Sequence, residues 1–183
     1  MNPLRKDIAK VLINQEDIQQ KVLELAARIS QDYADKEDLV LVGVLKGSIV
    51  FFADLFKYIE LPISCDFIST SSYGASTKSS GVVRLLKDLD NPVAGKHILI
   101  IEDIIDSGLT LSYLKDNIAR RGALSVKTCT LLDKPSRRRV ELTPDYVGFE
   151  IPDEFVVGYG LDYGEKYRNL PDVCILKKEI YTT

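Results

Sequence analysis

Apolar residues recur at helical spacing from Ile18 through Val22, Leu25, Ala26 and Ile29 to Tyr33. This period predicts an amphipathic helix over 17–33, with Asn14 as its cap. The next run, LVLVGVL over 39–45, carries no polar side chain and does not alternate. It predicts a strand covered on both faces. Lys46-Gly47-Ser48 breaks the run, and 49–58 has the pattern of a second helix. A strand over 63–68 leads into 69–80, a segment rich in serine, threonine and glycine that buries little and is expected to be mobile. The chain then returns as a flap strand over 82–86, and Asp90-Asn91-Pro92 marks a turn. A buried strand over 97–101 is followed by a carboxylate-rich loop and a helix over 111–121, which Gly122 ends. Further strands are expected at 126–132, 146–149, 155–159 and 173–176. Strands alternating with helices predict an α/β fold with a mainly parallel central sheet flanked by helices.

Composition narrows the function. A chain of 183 residues, 45% hydrophobic, supports one core, and a single domain over 1–183 with a small flap is expected. Its 24 basic and 27 acidic residues leave a net charge of −3, which argues against nucleic acid as the main partner. A small anion is still compatible, because backbone donors hold one whatever the net charge. Cys65, Cys129 and Cys174 lie far apart beside apolar runs, without metal-site or redox spacing, and are expected to be reduced, buried thiols. The charged start, MNPLRKD, has no apolar signal core, and no run reaches membrane-spanning length. A cytoplasmic protein with no membrane partner is expected.

The densest chemistry lies in ILIIEDIIDSGLT over 98–110. A buried parallel strand delivers Glu102 and Asp103 to its C-terminal end, where open α/β sheets bind ligands. Neighbouring strand residues point to opposite faces, so the two acids converge on one ligand only where the pleat ends. Ser107, Gly108 and Thr110 then open a helix, with hydroxyls and backbone N–H groups suited to an anion. An N-capping loop beside solvated acids uses the same residues. Together the acids and the anion cradle suit a molecule with vicinal hydroxyls and a phosphate, such as a ribose 5-phosphate. Neither a Walker-type loop nor G-x-G-x-x-G is present.

The run EDIIDSGLT resembles the phosphoribosyl pyrophosphate-binding motif of the type I phosphoribosyltransferases, in wording nearest their hypoxanthine-guanine branch. Supporting stretches are VGVLKGS, SSYG, LLDKPSRR and FVVGYGLDYGEKYRNLP, which extend the resemblance over most of the chain. The resemblance implies that Glu102 and Asp103 bind the ribose hydroxyls and help hold magnesium. Asp106, Ser107, Gly108, Leu109 and Thr110 would bind the 5-phosphate, with Ser107 and Leu109 as small departures from common family residues. Lys46 and Gly47 would form the pyrophosphate loop, where a non-proline cis peptide is expected, and Arg168 would contact pyrophosphate. Lys134, Phe155, Val156 and Asp162 would form the purine site. Lys134 would donate to O6, Phe155 would stack on the base, and Asp162 would also help coordinate a second magnesium. Ser72 and Tyr73 would lie on a loop that closes over the reacting atoms.

By residue type alone, each of these has a plainer role. Lys134 suits a surface position at a strand end, Phe155 a core aromatic, and Arg168 a partner for Glu165. Arg137, Arg138 and Arg139 read as a solvated face or a subunit contact. His97, the single histidine, begins a strand away from the carboxylates, so histidine-based catalysis is not expected. The implied activity is purine salvage: hypoxanthine or guanine joined to phosphoribosyl pyrophosphate, giving IMP or GMP and pyrophosphate. Asp106 would accept the N7 proton. Small-molecule substrates, magnesium and a homo-oligomer, dimer or tetramer, go with it. A xanthine- or adenine-directed enzyme, or a non-catalytic RNA-binding regulator on the same fold, are the alternatives.

Overall fold

The computed structural model describes residues 3–72 and 83–182. Its larger sheet has six strands in the order β4-β3-β2-β5-β6-β7. These are β2 (Leu39–Leu45), β3 (Ile63–Ser72), β4 (Val83–Lys87), β5 (His97–Ile105), β6 (Ser125–Asp133) and β7 (Tyr146–Glu150). All neighbours in it run parallel except β3 and β4. The predicted α/β architecture with a mainly parallel sheet is therefore the one observed.

The unbroken apolar runs are explained by two covered faces. Leu39 and Leu41 of β2, with Leu99 and Ile101 of β5, join one core cluster. Val40, Val42 and Val44, with Ile98 and Ile100, join the other. Helices α1 (Gln15–Asp32) and α2 (Ile49–Tyr58) cover the first face, and α3 (Leu109–Ala119) covers the second. Asn14 caps α1, its side chain accepting from the Asp17 N–H at 2.8 Å. Ile18, Val22 and Ile29 are fully buried on its inner face, each worth roughly 1.5–3 kcal/mol against exposure. Tyr146 donates to Asp32 at 2.7 Å, tying β7 to the end of α1.

A second sheet, β1-β9-β8, forms a hood. It comprises β1 (Ile8–Ile13), β8 (Val156–Val157) and β9 (Val173–Leu176), all antiparallel, and is followed by a short α4 (Lys178–Tyr181). Asp172 fastens the hood to α1 by accepting from Arg5 at 2.7 Å and from the Gln15 N–H at 3.0 Å. Tyr159 reaches α2 through a 2.6 Å bond to Asp54.

Several expectations change. The polar stretch predicted to begin at 69 is strand as far as Ser72, because Ser69–Ser72 pair with β4. Residues 73–82, including Tyr73, lie outside the described part, as does the rest of that predicted loop. The strand predicted over 97–101 runs on to Ile105, and α3 starts two residues earlier than expected. Strand β1 and helix α4 were not anticipated. Cys65 is exposed, whereas Cys129 and Cys174 are buried; all three are free. No helix among the described residues is long and apolar enough to cross a membrane.

Candidate active site

The C-terminal end of β5 organises the site. Glu102 and Asp103 lie inside the strand, Glu102 level with Thr130 of β6, rather than beyond its last residue. As neighbouring strand residues they line different parts of the site, with their carboxyls still close enough for the Asp103 charge to act on Glu102. Glu102 lines a cavity of about 220 Å³ that also includes Asp106, Ser107, Gly108 and Thr110. Asp103 lies against Gly47 so closely that a Cβ there would overlap its Oδ2. Burial raises both acids. It pushes Asp103 up to about 6, against the pull of nearby backbone N–H groups and Arg168. Burial, and then the Asp103 charge, hold Glu102 well above the usual carboxylate range. Glu102 Oε2 is buried and has no hydrogen-bond partner among the described residues.

After Ile105 the chain turns through Asp106 and Ser107 into α3. Gly108, at φ 81°, occupies the left-handed region at the helix start and is pressed against Arg138 and Val140. A side chain there would be strained and crowded. The N-terminal N–H groups of a helix lack carbonyl partners within it, so this turn favours an anion. The Ser107 hydroxyl accepts from the Leu109 N–H at 3.4 Å.

The basic run after Lys134 also supports this loop, while the side chains of Arg137 and Arg139 stay exposed as a solvated face would leave them. Arg137 places Nε 2.6 Å from Asp106 Oδ1 and Nη1 3.1 Å from Asp153. Arg138 donates to the Asp106 carbonyl at 2.9 Å and pairs with Asp133. The Arg139 N–H donates to the Ser107 carbonyl at 2.9 Å. Sequence reasoning missed these three because nothing local shows that a 3-10 turn (Pro135–Arg137) folds them back onto the 106–108 loop. The one available signal was their position directly after a strand end in the same parallel sheet.

Lys134 is buried, against the plainer surface reading, and donates from Nζ to the Glu154 carbonyl at 2.7 Å. That carbonyl precedes Phe155, so the buried ammonium and the aromatic ring flank one peptide unit. Phe155 is 39% exposed and is no core residue. Val156, by contrast, buries its side chain in β8, which pairs with Ile175.

A third wall comes from the segment after β8. Gly160, at φ 101°, packs so tightly on the Gly47 carbonyl that a Cβ would overlap it. Arg168 donates to the Gly160 carbonyl at 2.8 Å, pairs with Asp162 at 2.8 Å, and lies 3.4 Å from Glu165. The plainer reading of Arg168 as a Glu165 partner is thus correct in part. Lys46, whose bond to Leu45 is cis, reaches the same Glu165 at 2.9 Å. Lys46, Gly47, Asp103, Gly160, Asp162 and Arg168 form one linked group, and Glu102, Asp106–Thr110 and the arginines another. The predicted site positions fall into these groups or the Lys134–Phe155 wall, except Ser72, whose backbone ends β3, and Tyr73, which lies outside the described residues.

Comparison with known proteins follows the same lines. A family model described as "Phosphoribosyl transferase domain" matches residues 11–164. The hypoxanthine-guanine phosphoribosyltransferase of Bacillus subtilis is 56% identical over 178 residues, covering 97% of this chain and 98% of that protein. The protein of the same name from Streptococcus thermophilus is 53% identical over 97% of this chain and 98% of its own length. Among solved structures, a hypoxanthine phosphoribosyltransferase from Staphylococcus aureus superposes with a TM-score of 0.95 at 47% identity, covering 100% of both chains.

Proposed function

The chain belongs to the phosphoribosyl transferase family, and from that premise we propose that it is a 6-oxopurine salvage enzyme working as one catalytic unit. It transfers the 5-phosphoribosyl group of phosphoribosyl pyrophosphate to N9 of hypoxanthine or guanine, giving IMP or GMP and pyrophosphate. The observation that carries this reading is the buried Lys134 ammonium held on the carbonyl that precedes the half-exposed Phe155, with the Lys134 N–H bonded to the Ile105 carbonyl at the head of the 106–110 anion cradle. Such a pair recognises a flat base with an oxygen acceptor. The cradle recognises a phosphate.

In this reading Glu102 and Asp103 bind the ribose hydroxyls, and residues 106–110 bind the 5-phosphate. Gly47 and Arg168 line the pyrophosphate side. Breaking the C1–O bond leaves positive charge on the ribose, and the attacking purine sheds its N7 proton to Asp106. Lys134 donates to O6, and Phe155 and Val156 hold the base. The pair Glu102–Asp103 fits magnesium: Glu102 Oε2 is buried and unpartnered among the described residues, and both acids are raised by burial, a cost that a cation relieves. Magnesium takes one or two carboxylates and keeps waters and phosphate oxygens, so no larger cluster is required. Asp162 would serve a second ion. When bound, the metal neutralises charge on the departing pyrophosphate. Three free cysteines suit a reducing compartment, and we place the enzyme in the cytoplasm.

The test is a coupled assay against hypoxanthine, guanine, xanthine and adenine with magnesium present. Turnover of hypoxanthine or guanine above the others is expected. Preference for xanthine overturns the substrate assignment, and no turnover with any base overturns the enzyme.

A further inference from the structure

The C-terminal tyrosine of α4 packs on Phe155, the ring to which the salvage reading assigns base stacking. The Tyr181 ring stacks on Phe155 with centroids 5.0 Å apart and planes inclined by 29°. Tyr163 meets Phe155 edge-on at 5.6 Å and 89°, and Tyr163 and Tyr181 touch at 6.5 Å, so the three rings form a closed triangle. Tyr163, Ile180 and Tyr181 also pack on the hood cluster of Val157, Tyr167 and Leu170. The Lys177 N–H ties the start of α4 to the Asp7 carbonyl at 2.9 Å.

Phe155 is thus held twice. Lys134 fixes the peptide unit before it, and Tyr181 and Tyr163 fix its ring. Phe155 is still 39% exposed as a residue, which leaves area for a ligand. An exposed aromatic ring with free torsions must be ordered on binding, and ordering it in advance lowers that cost. We propose that Tyr181 is a positioning residue for base recognition, holding Phe155 in the orientation from which it stacks on the purine. The inference rests on the salvage reading.

The experiment is steady-state kinetics of Tyr181→Ala, Tyr181→Leu and Tyr181→Phe, varying hypoxanthine and phosphoribosyl pyrophosphate in turn. Alanine and leucine should each raise KM for hypoxanthine about three- to tenfold, the range an aromatic pair is worth. KM for phosphoribosyl pyrophosphate and kcat should stay within about twofold. Tyr181→Phe keeps the ring and should behave as wild type. Leucine keeps apolar cover over the hood, so it gives the answer if the alanine variant unfolds. An unchanged KM for hypoxanthine overturns the proposal, as does an equal rise in both KM values. A fall in KM also overturns it, since Tyr181 would then occupy the place of the base. Wild-type turnover of hypoxanthine tests the salvage reading separately, before any variant is made.

Discussion

Arg137 holds its Nε 2.6 Å from Oδ1 of Asp106. Both side chains are about half exposed, 47% and 45%, and an ion pair in that setting is worth at most about 1 kcal/mol. A pair this weak orients the carboxylate without locking it. If Asp106 accepts the N7 proton, Asp106→Asn keeps the shape and removes the base. We expect kcat to fall by about 10²-fold or more in a variant that folds normally, the usual worth of such a group. Stopped-assay kinetics with hypoxanthine check this, and wild-type turnover would refute the role.

Lys134 carries base selection. Its ammonium only donates, so it matches the O6 acceptor of hypoxanthine and guanine and faces the amino group of adenine unfavourably. A buried donor left unpaired penalises the wrong substrate. Lys134→Gln, whose amide donates or accepts, is expected to lower kcat/KM for hypoxanthine and to narrow the gap to adenine. The measurement is kcat/KM for both bases in both proteins. Good use of adenine by the wild type would remove Lys134 as the base reader.

Gly160 and Gly95 separate backbone strain from close packing. Both have positive φ, 101° and 74°, but a Cβ at Gly160 overlaps the Gly47 carbonyl whereas none meets anything within 4 Å at Gly95. Gly95→Ala should cost about 1 kcal/mol from the left-handed backbone alone. Gly160→Ala should cost more and also depress activity, because it displaces Gly47, which lies against Asp103. Denaturant unfolding and turnover on the two variants decide it; equal effects would mean that the contact is unimportant.

Stability of the metal-free protein should depend on pH through the paired acids. Asp103 has a folded value near 6 against an ordinary 3.8, and Glu102 is raised as well. An acid raised by folding stabilises fully below its unfolded value, and that contribution is lost as pH rises through its folded value. The melting temperature in chelator should therefore fall from about pH 4 to about pH 6, with Glu102 extending the fall upward. Asp103→Asn should flatten that fall, with a residual slope left by Glu102. Thermal unfolding across this range is the measurement, and a melting temperature that rises instead would contradict it.

Where the signal was local, the order of residues was enough. The unbroken apolar runs of β2 and β5 announced strands buried on both faces, and the spacing from Ile18 to Tyr33 announced α1, because period and side-chain type act within a few residues. EDIIDSGLT likewise displayed acids and an anion-binding turn side by side. What depended on contacts between distant segments was not legible. Nothing near residue 137 shows that Arg137 meets Asp106, 31 positions earlier, or that Gly160 packs on Gly47; β1 is a strand because β9 pairs with it from the far end of the chain. Hydrogen bonding to a remote partner, and the burial that raises Glu102 and Asp103, exist only once the sheet is assembled. The sequence by itself determined the chemical groups and the elements carrying them; tertiary structure decided which of those groups face one another, since that depends on chain closure over long separations rather than on neighbours.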